Sequence, residues 1–334
     1  MTDVSRFDES ARRVSTGTLP AGPTVQRLLT EAHEHCAPLD DGTVSTVYPA
    51  LARAPRDRFG LALAGVDGAV HEVGHSRVEF TIMSVSKPFL FALACAEQGI
   101  DAVREAVGVD ATGLPFSSLE AVERPPAGLT NPMVNPGAIA TTALLLPGAT
   151  ADERWESIRD GLSRFAGRTL DVDEETYASA SRSTFRNRAI ADLLRSLGTL
   201  AGDPDEAVDL YTRQCCLAVT AVDLAVMGAT LADGGVHPVT GERVVDAESA
   251  RAALAVMVVA GVYERSGSWL LDVGMPAKSG IAGGLVTVSP GKGALGAWSP
   301  PLDDAGTSVR GARAAQMLAR HLGLDLLASR PADR

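Results

Sequence analysis

The stretch TIMSVSKPF, residues 81–89, sets the reading of this chain, because it places Lys87 three residues after Ser84. In the first turn of a helix, residues three apart share a face, with side-chain origins roughly 5–6 Å apart, near enough for an amine to take a hydroxyl proton. Such a turn also presents free N–H groups and a partial positive charge, which stabilise an alkoxide and the oxyanion formed when it attacks a carbonyl. Pro88 biases the residue before it away from helical geometry, so the turn is expected to be tight or irregular. Ser-x-x-Lys alone is weak evidence, since a capping serine followed by a surface lysine gives the same pattern.

The other lysines strengthen it. Of the 30 basic residues only Lys87, Lys278 and Lys292 are lysines. Arginine keeps its charge, whereas a desolvated lysine can lose its proton near neutral pH and serve as a base. In PAKSGIAGG, residues 276–284, Lys278, Ser279 and Gly280 match the Lys-Thr/Ser-Gly element that accompanies Ser-x-x-Lys in the penicillin-recognising serine enzymes. Two matched motifs in the right order, using two of three lysines, point to acyl transfer on Ser84.

Composition narrows the setting. A chain of 334 residues, 46% hydrophobic, can bury a sizeable core. No apolar run approaches a membrane span and the first residues are charged, so a soluble, cytoplasmic protein is expected. A net charge of −11 without a basic cluster argues against nucleic acid or an anionic membrane as partner and leaves a small-molecule substrate or a protein partner. Cys36, Cys95, Cys215 and Cys216 lack ligand or disulfide spacing and are read as core packing, with no metal and no cofactor expected.

Along the chain, residues 1–23 read as a loose extension and 24–330 as one catalytic domain. TVQRLLTEAHEHC has helical spacing, and RFGLALAGVDGAVHEVG reads as a hairpin turning at Asp67-Gly68. VEFTIM reads as a short third strand and Ser84 to Gln98 as a buried helix. About 100–260 is mostly helical, GIAGGLVTVSPGKGALGAWS forms a second hairpin around Pro290-Gly291, and an amphipathic helix closes the chain. Strands at both ends around a helical middle imply one α/β (α+β) sheet domain with an inserted helical subdomain.

Over roughly residues 24–325 the chain resembles the serine-dependent glutaminases of the β-lactamase-like fold. DATGLPFSSLEAVE, NPMVNPGAIATTALL, RNRAIADLL, DLYTRQCCLAVTAVDLAVMGATLADGGVHPVT, GVYERSGSW, GMPAKSGIAGG and SPPLDDAGTSVRG carry the resemblance. It implies a mainly antiparallel central sheet, glutamine as substrate, glutamate and ammonia as products, and a homodimer or homotetramer. Ser84 matches the nucleophile and Lys87 its general base. Asn135, Asn187, Tyr211 and Tyr263 match positions that hold substrate, the tyrosines also placed to move protons, and Ile281 matches the N–H that completes an oxyanion hole with that of Ser84.

Departures cluster at recognition positions. Val47 stands where the family has tyrosine, Met83 where it has glutamine, and Ala180 where it has the carboxylate that pairs with the α-ammonium of glutamine. Asn135 is followed by Pro136. Tyr48 and the nearby Glu174 and Glu175 are not read as replacements. An amidase for another amide, or for a glutamine derivative without a free α-amine, shares these features. So do a penicillin-recognising enzyme, opposed by the lack of an export signal, and a silent binding protein, opposed by the intact Ser84, Lys87 and tyrosines.

Overall fold

The computed structural model describes residues 17–329. Their strands are β1 Thr43–Val44, β2 Gly60–Gly65, β3 Val70–Gly74, β4 Phe80–Thr81, β5 Ala218–Val219, β6 Ala277–Ser279, β7 Gly284–Ser289, β8 Gly293–Trp298 and β9 Pro301–Leu302. Their helices are α1 Gly22–Cys36, α2 Lys87–Gln98, α3 Ile100–Val107, α4 Glu120–Glu123, α5 Asn135–Leu144, α6 Ala151–Ala166, α7 Glu174–Ser181, α8 Phe185–Ser196, α9 Pro204–Cys215, α10 Ala221–Ala232, α11 Ala247–Ala260, α12 Ser266–Asp272 and α13 Val309–His321. Most of the expected extension, residues 1–16, lies outside the described residues. Helix α1 begins at Gly22, just ahead of Thr24, because Pro23 suits a first turn whose N–H needs no partner.

The central sheet has the order β3-β2-β8-β7-β6, every neighbour antiparallel. Both hairpins form where their turn residues predict; Gly68 takes φ +84° and the Asp67 carboxylate accepts from the Ala69 N–H. Strand alternation sorts β2 onto two cores: Leu61 and Leu63 pack with α1 and α13, while Ala62 and Ala64 face the side covered by α10. Small residues let α10 lie close to the sheet. A Cβ on Gly296 would stand 2.1 Å from the Ala221 carbonyl oxygen and 2.7 Å from the Ala225 nitrogen. Among the described residues, no helix is long and apolar enough to cross a membrane.

The expected third strand over VEFTIM is a correction. Only Phe80 and Thr81 are extended, and they pair with β5 rather than joining the main sheet. Ile82 already has helical dihedrals, so the extended run ends there. The small β4-β5 ladder matters for chemistry, because it fixes the Ser84 turn beside the end of α9, with the Ile82 N–H donating to the Leu217 carbonyl at 2.8 Å.

The three lysines are all buried. Lys292 donates to the carbonyl of Gly323, and Ser289 Oγ donates to that of Leu324, so this lysine ties the second hairpin to the end of the chain. The other two meet elsewhere.

Candidate active site

Ser84 does not sit in an α-helix. Met83–Ser86 is a tight 3₁₀ turn, and α2 starts at Lys87 with Pro88 in its first turn. The irregularity expected from Pro88 thus falls on the serine turn, and it helps: in 3₁₀ geometry residues three apart eclipse one another, aligning Ser84 with Lys87. Met83, just before Ser84, has φ +48°, a left-handed value that costs a branched or long side chain of order 1–3 kcal/mol. Ser86 Oγ, donating to the Met83 carbonyl at 2.9 Å, pins this strained peptide. Tyr263 also has a positive φ, +57°. Two of three such non-glycine residues among the described ones therefore border one serine, as strain held for function does.

Lys87 is 2% exposed and its Nζ donates to Asn135 Oδ1 at 2.8 Å and to the Met133 carbonyl at 3.4 Å. Asn135, the first residue of α5, is the hub. Its Oδ1 also accepts from the Tyr211 hydroxyl at 3.1 Å, and its Nδ2 donates to Asn187 Oδ1 at 3.1 Å. Burial pulls the Lys87 amine down from its ordinary 10.5 to about 7, with the nearby Cys215 pulling weakly the other way. At neutral pH a large fraction of Lys87 is therefore the free base that a hydroxyl proton requires.

From the opposite side, β6 brings Lys278. Its Nζ lies 4.0 Å from the Tyr263 ring centroid and donates to the Ser279 carbonyl at 2.7 Å. Burial first, and the neighbouring Lys87 second, hold its pKa well below the usual lysine value. Burial raises the Tyr263 pKa, with the neighbouring Ser84 pulling the other way; Tyr211 is raised likewise, by burial and then by Cys215. Both phenols stay protonated and can donate.

The turn after β6 completes the site. A Cβ on Gly280 would lie 3.1 Å from the Ile82 carbonyl oxygen and 3.4 Å from Met83 Cβ, so this glycine lets the strand end approach the serine turn. Gly280 and Gly283 use their N–H groups inside the hairpin, whereas among the described residues neither the Ser84 nor the Ile281 N–H is given to a backbone carbonyl. Two free amides on adjoining turns are what an oxyanion needs. Of the sequence-predicted residues, Ser84, Lys87, Asn135, Asn187, Tyr211, Tyr263, Lys278 and Ser279 lie on 3₁₀ turns, helices or β6, and Gly280 and Ile281 in the turn between β6 and β7. No group of three or more His, Cys, Asp or Glu that could hold a metal ion occurs among the described residues.

Three further residues belong to the site that the sequence did not single out. Cys215, read as core, is buried, and burial raises its pKa against the opposing pull of Lys87, Tyr211 and Ser86, keeping it a thiol. Tyr48 turns inward, close enough to Tyr211 and Cys215 to act on them electrostatically, while its neighbour Val47 is 58% exposed. Phe116 acts as a clasp: its ring packs on Tyr263 at 4.8 Å between centroids, and its carbonyl accepts the Asn135 N–H at 2.8 Å. Phe116→Ala is expected to lower kcat by roughly 10–100-fold with little change in KM, as loosened positioning does, and Phe116→Tyr to restore most of it. Steady-state kinetics on the two variants decides; a KM effect alone would make Phe116 a binding-pocket wall.

Comparison with known proteins fits this geometry. A family model described as Glutaminase matches residues 42–327. The chain is 58% identical over 318 residues to "Glutaminase 2" of Yersinia pestis, covering 95% of this chain and 93% of that protein. It is 50% identical over 289 residues to a "Glutaminase" of Brucella canis, covering 86% and 91%. A solved structure described as the probable glutaminase ybaS superposes with a TM-score of 0.91 at 39% identity, covering 93% of this chain and all of that one.

Proposed function

The chain belongs to the glutaminase family, and we propose that it hydrolyses L-glutamine to L-glutamate and ammonia through an acyl-enzyme on Ser84. Lys87, uncharged in its buried setting, takes the Ser84 hydroxyl proton as the oxygen attacks the side-chain amide carbon. The oxyanion lies between the N–H groups of Ser84 and Ile281. Collapse expels ammonia, protonated from Lys87 by way of the Tyr263 hydroxyl, which burial keeps protonated. Water then attacks the ester, giving one proton to Lys87, which returns it to Ser84 as the ester bond breaks; the other water proton leaves with the product as its new carboxylic acid ionises. Asn135, held by Lys87, Tyr211 and Asn187, fixes the base and offers amide contacts to substrate.

The observation that carries this reading is the burial of Lys87 in a hydrogen-bonded setting of asparagine, tyrosine and backbone carbonyl, which makes a base of a residue ordinarily cationic. Purified protein is expected to release ammonia and glutamate in equal amounts from glutamine. Glutamate without ammonia, or neither, contradicts it. The family resemblance supports a cytoplasmic homodimer or homotetramer as part of the same reading.

A further inference from the structure

We propose that this site takes γ-carboxamides lacking a free α-ammonium group at least as well as it takes glutamine, an inference that rests on the amide-hydrolase reading above. Glutamine carries a cation next to its carboxylate, and a cation leaving water needs an anion or several acceptors. Among the described residues, none of the side chains hydrogen-bonded around Lys87 and Lys278 is a carboxylate. The side chains gathered beside the Ser84 turn are two amines, two amides, phenols and a thiol, and the side-chain hydrogen bonds of Lys87, Lys278, Asn135, Asn187 and Tyr211 go to one another or to a backbone carbonyl.

The electrostatics agree. Apart from burial, Lys87 responds only to Cys215, and Lys278 only to Lys87 and Cys215. A carboxylate beside them would hold either amine up as a cation. Several acidic residues on the neighbouring elements are committed elsewhere. Asp209 accepts from Tyr177 and pairs with Arg213, Glu175 pairs with Arg53 at the surface, and Asp173 caps α7. On α7, which packs against α9, Ala180 is 2% exposed and brings no charge. Asn187 sits in the first turn of α8, between Arg186, which donates to the Ser117 carbonyl, and Arg188, which pairs with Asp205, and the helix end there suits an α-carboxylate better than an ammonium. One carboxylate has a field that reaches a site side chain. It is Glu264, exposed and next to Tyr263.

The test compares kcat/KM of the purified protein for glutamine, for glutaramate (the same molecule with hydrogen in place of the amine) and for N-acetylglutamine. Glutaramate is expected to equal or exceed glutamine. A site with a built ammonium partner would instead favour glutamine by roughly 30-fold or more, and that result overturns the inference while leaving the amide-hydrolase reading intact. Glu264→Gln is expected to shift the two substrates together; a rise in KM confined to glutamine identifies Glu264 as the ammonium partner and also overturns it. N-acetylglutamine hydrolysis at a rate near that of glutaramate extends the class to masked amines, and its exclusion restricts the class to substrates with hydrogen or oxygen at that carbon, which still supports the proposal. Release of ammonia from none of the three amides overturns the amide-hydrolase reading and this inference with it.

Discussion

Ser84→Ala is expected to reduce ammonia release from glutamine by about 10³-fold or more, Lys87→Ala by a comparable factor, and the double variant by no more than either alone. The non-additivity is the informative part: a nucleophile without its base and a base without its nucleophile leave the same residual site. Folding serves as the control, and here the buried amine gives an unusual sign. In the folded protein Lys87 binds a proton only below about 7, while the unfolded chain binds one up to the ordinary 10.5. Between those values the unfolded state holds more protons, so stability gained by neutral burial rises with pH across that window and is at its lowest below it. Lys87→Met removes this penalty and should be inactive yet more stable at pH 7 by about 1–2 kcal/mol in urea denaturation. A variant that is inactive and also unfolded would leave the base unidentified; factors that multiply in the double variant would mean that Ser84 and Lys87 do not act as one unit.

The second large effect is on pH. Because only uncharged Lys87 can accept the Ser84 proton, kcat/KM is expected to fall about tenfold for each pH unit below about 7, giving roughly a hundredfold loss two units down. Above that value the profile should stay level until a tyrosine titrates, and burial has moved both Tyr211 and Tyr263 upward. Lys87→Arg should show no recovery at any accessible pH, because a guanidinium does not deprotonate. An acidic limb near the ordinary carboxylate range would place the base on an Asp or Glu instead.

Much of the site was legible because its chemistry is written in short, local patterns. Ser84 with Lys87, and Lys278 with Ser279 and Gly280, are each contiguous, and Asp67-Gly68 and Pro290-Gly291 announce the turns that bring the two segments into one sheet. What stayed hidden depends on tertiary contact. Phe116 meets Tyr263 across most of the domain, and no spacing in the sequence links them. Met83 adopts a left-handed conformation that its side chain disfavours, so local preference argues for a regular helix and only Pro88 hints otherwise. Tyr48 was set aside because adjacent residues point apart. They do, but it is Val47 that faces solvent and Tyr48 that faces Tyr211 and Cys215. Cys215 is indistinguishable from a core cysteine in the sequence because it is one, and only the fold brings it near Tyr211 and Lys87. VEFTIM has the residues of a strand throughout, and nothing in it reveals that the chain begins to coil at Ile82.

The central claim is a covalent ester on Ser84. Rapid acid quenching of the protein during turnover of glutamine, followed by mass analysis of its peptides, is expected to find one glutamyl group bound and fragmentation to place it on Ser84. Its appearance on Cys215 or Cys216, or the absence of any adduct when turnover is fast and deacylation has been slowed by low temperature, would contradict the account.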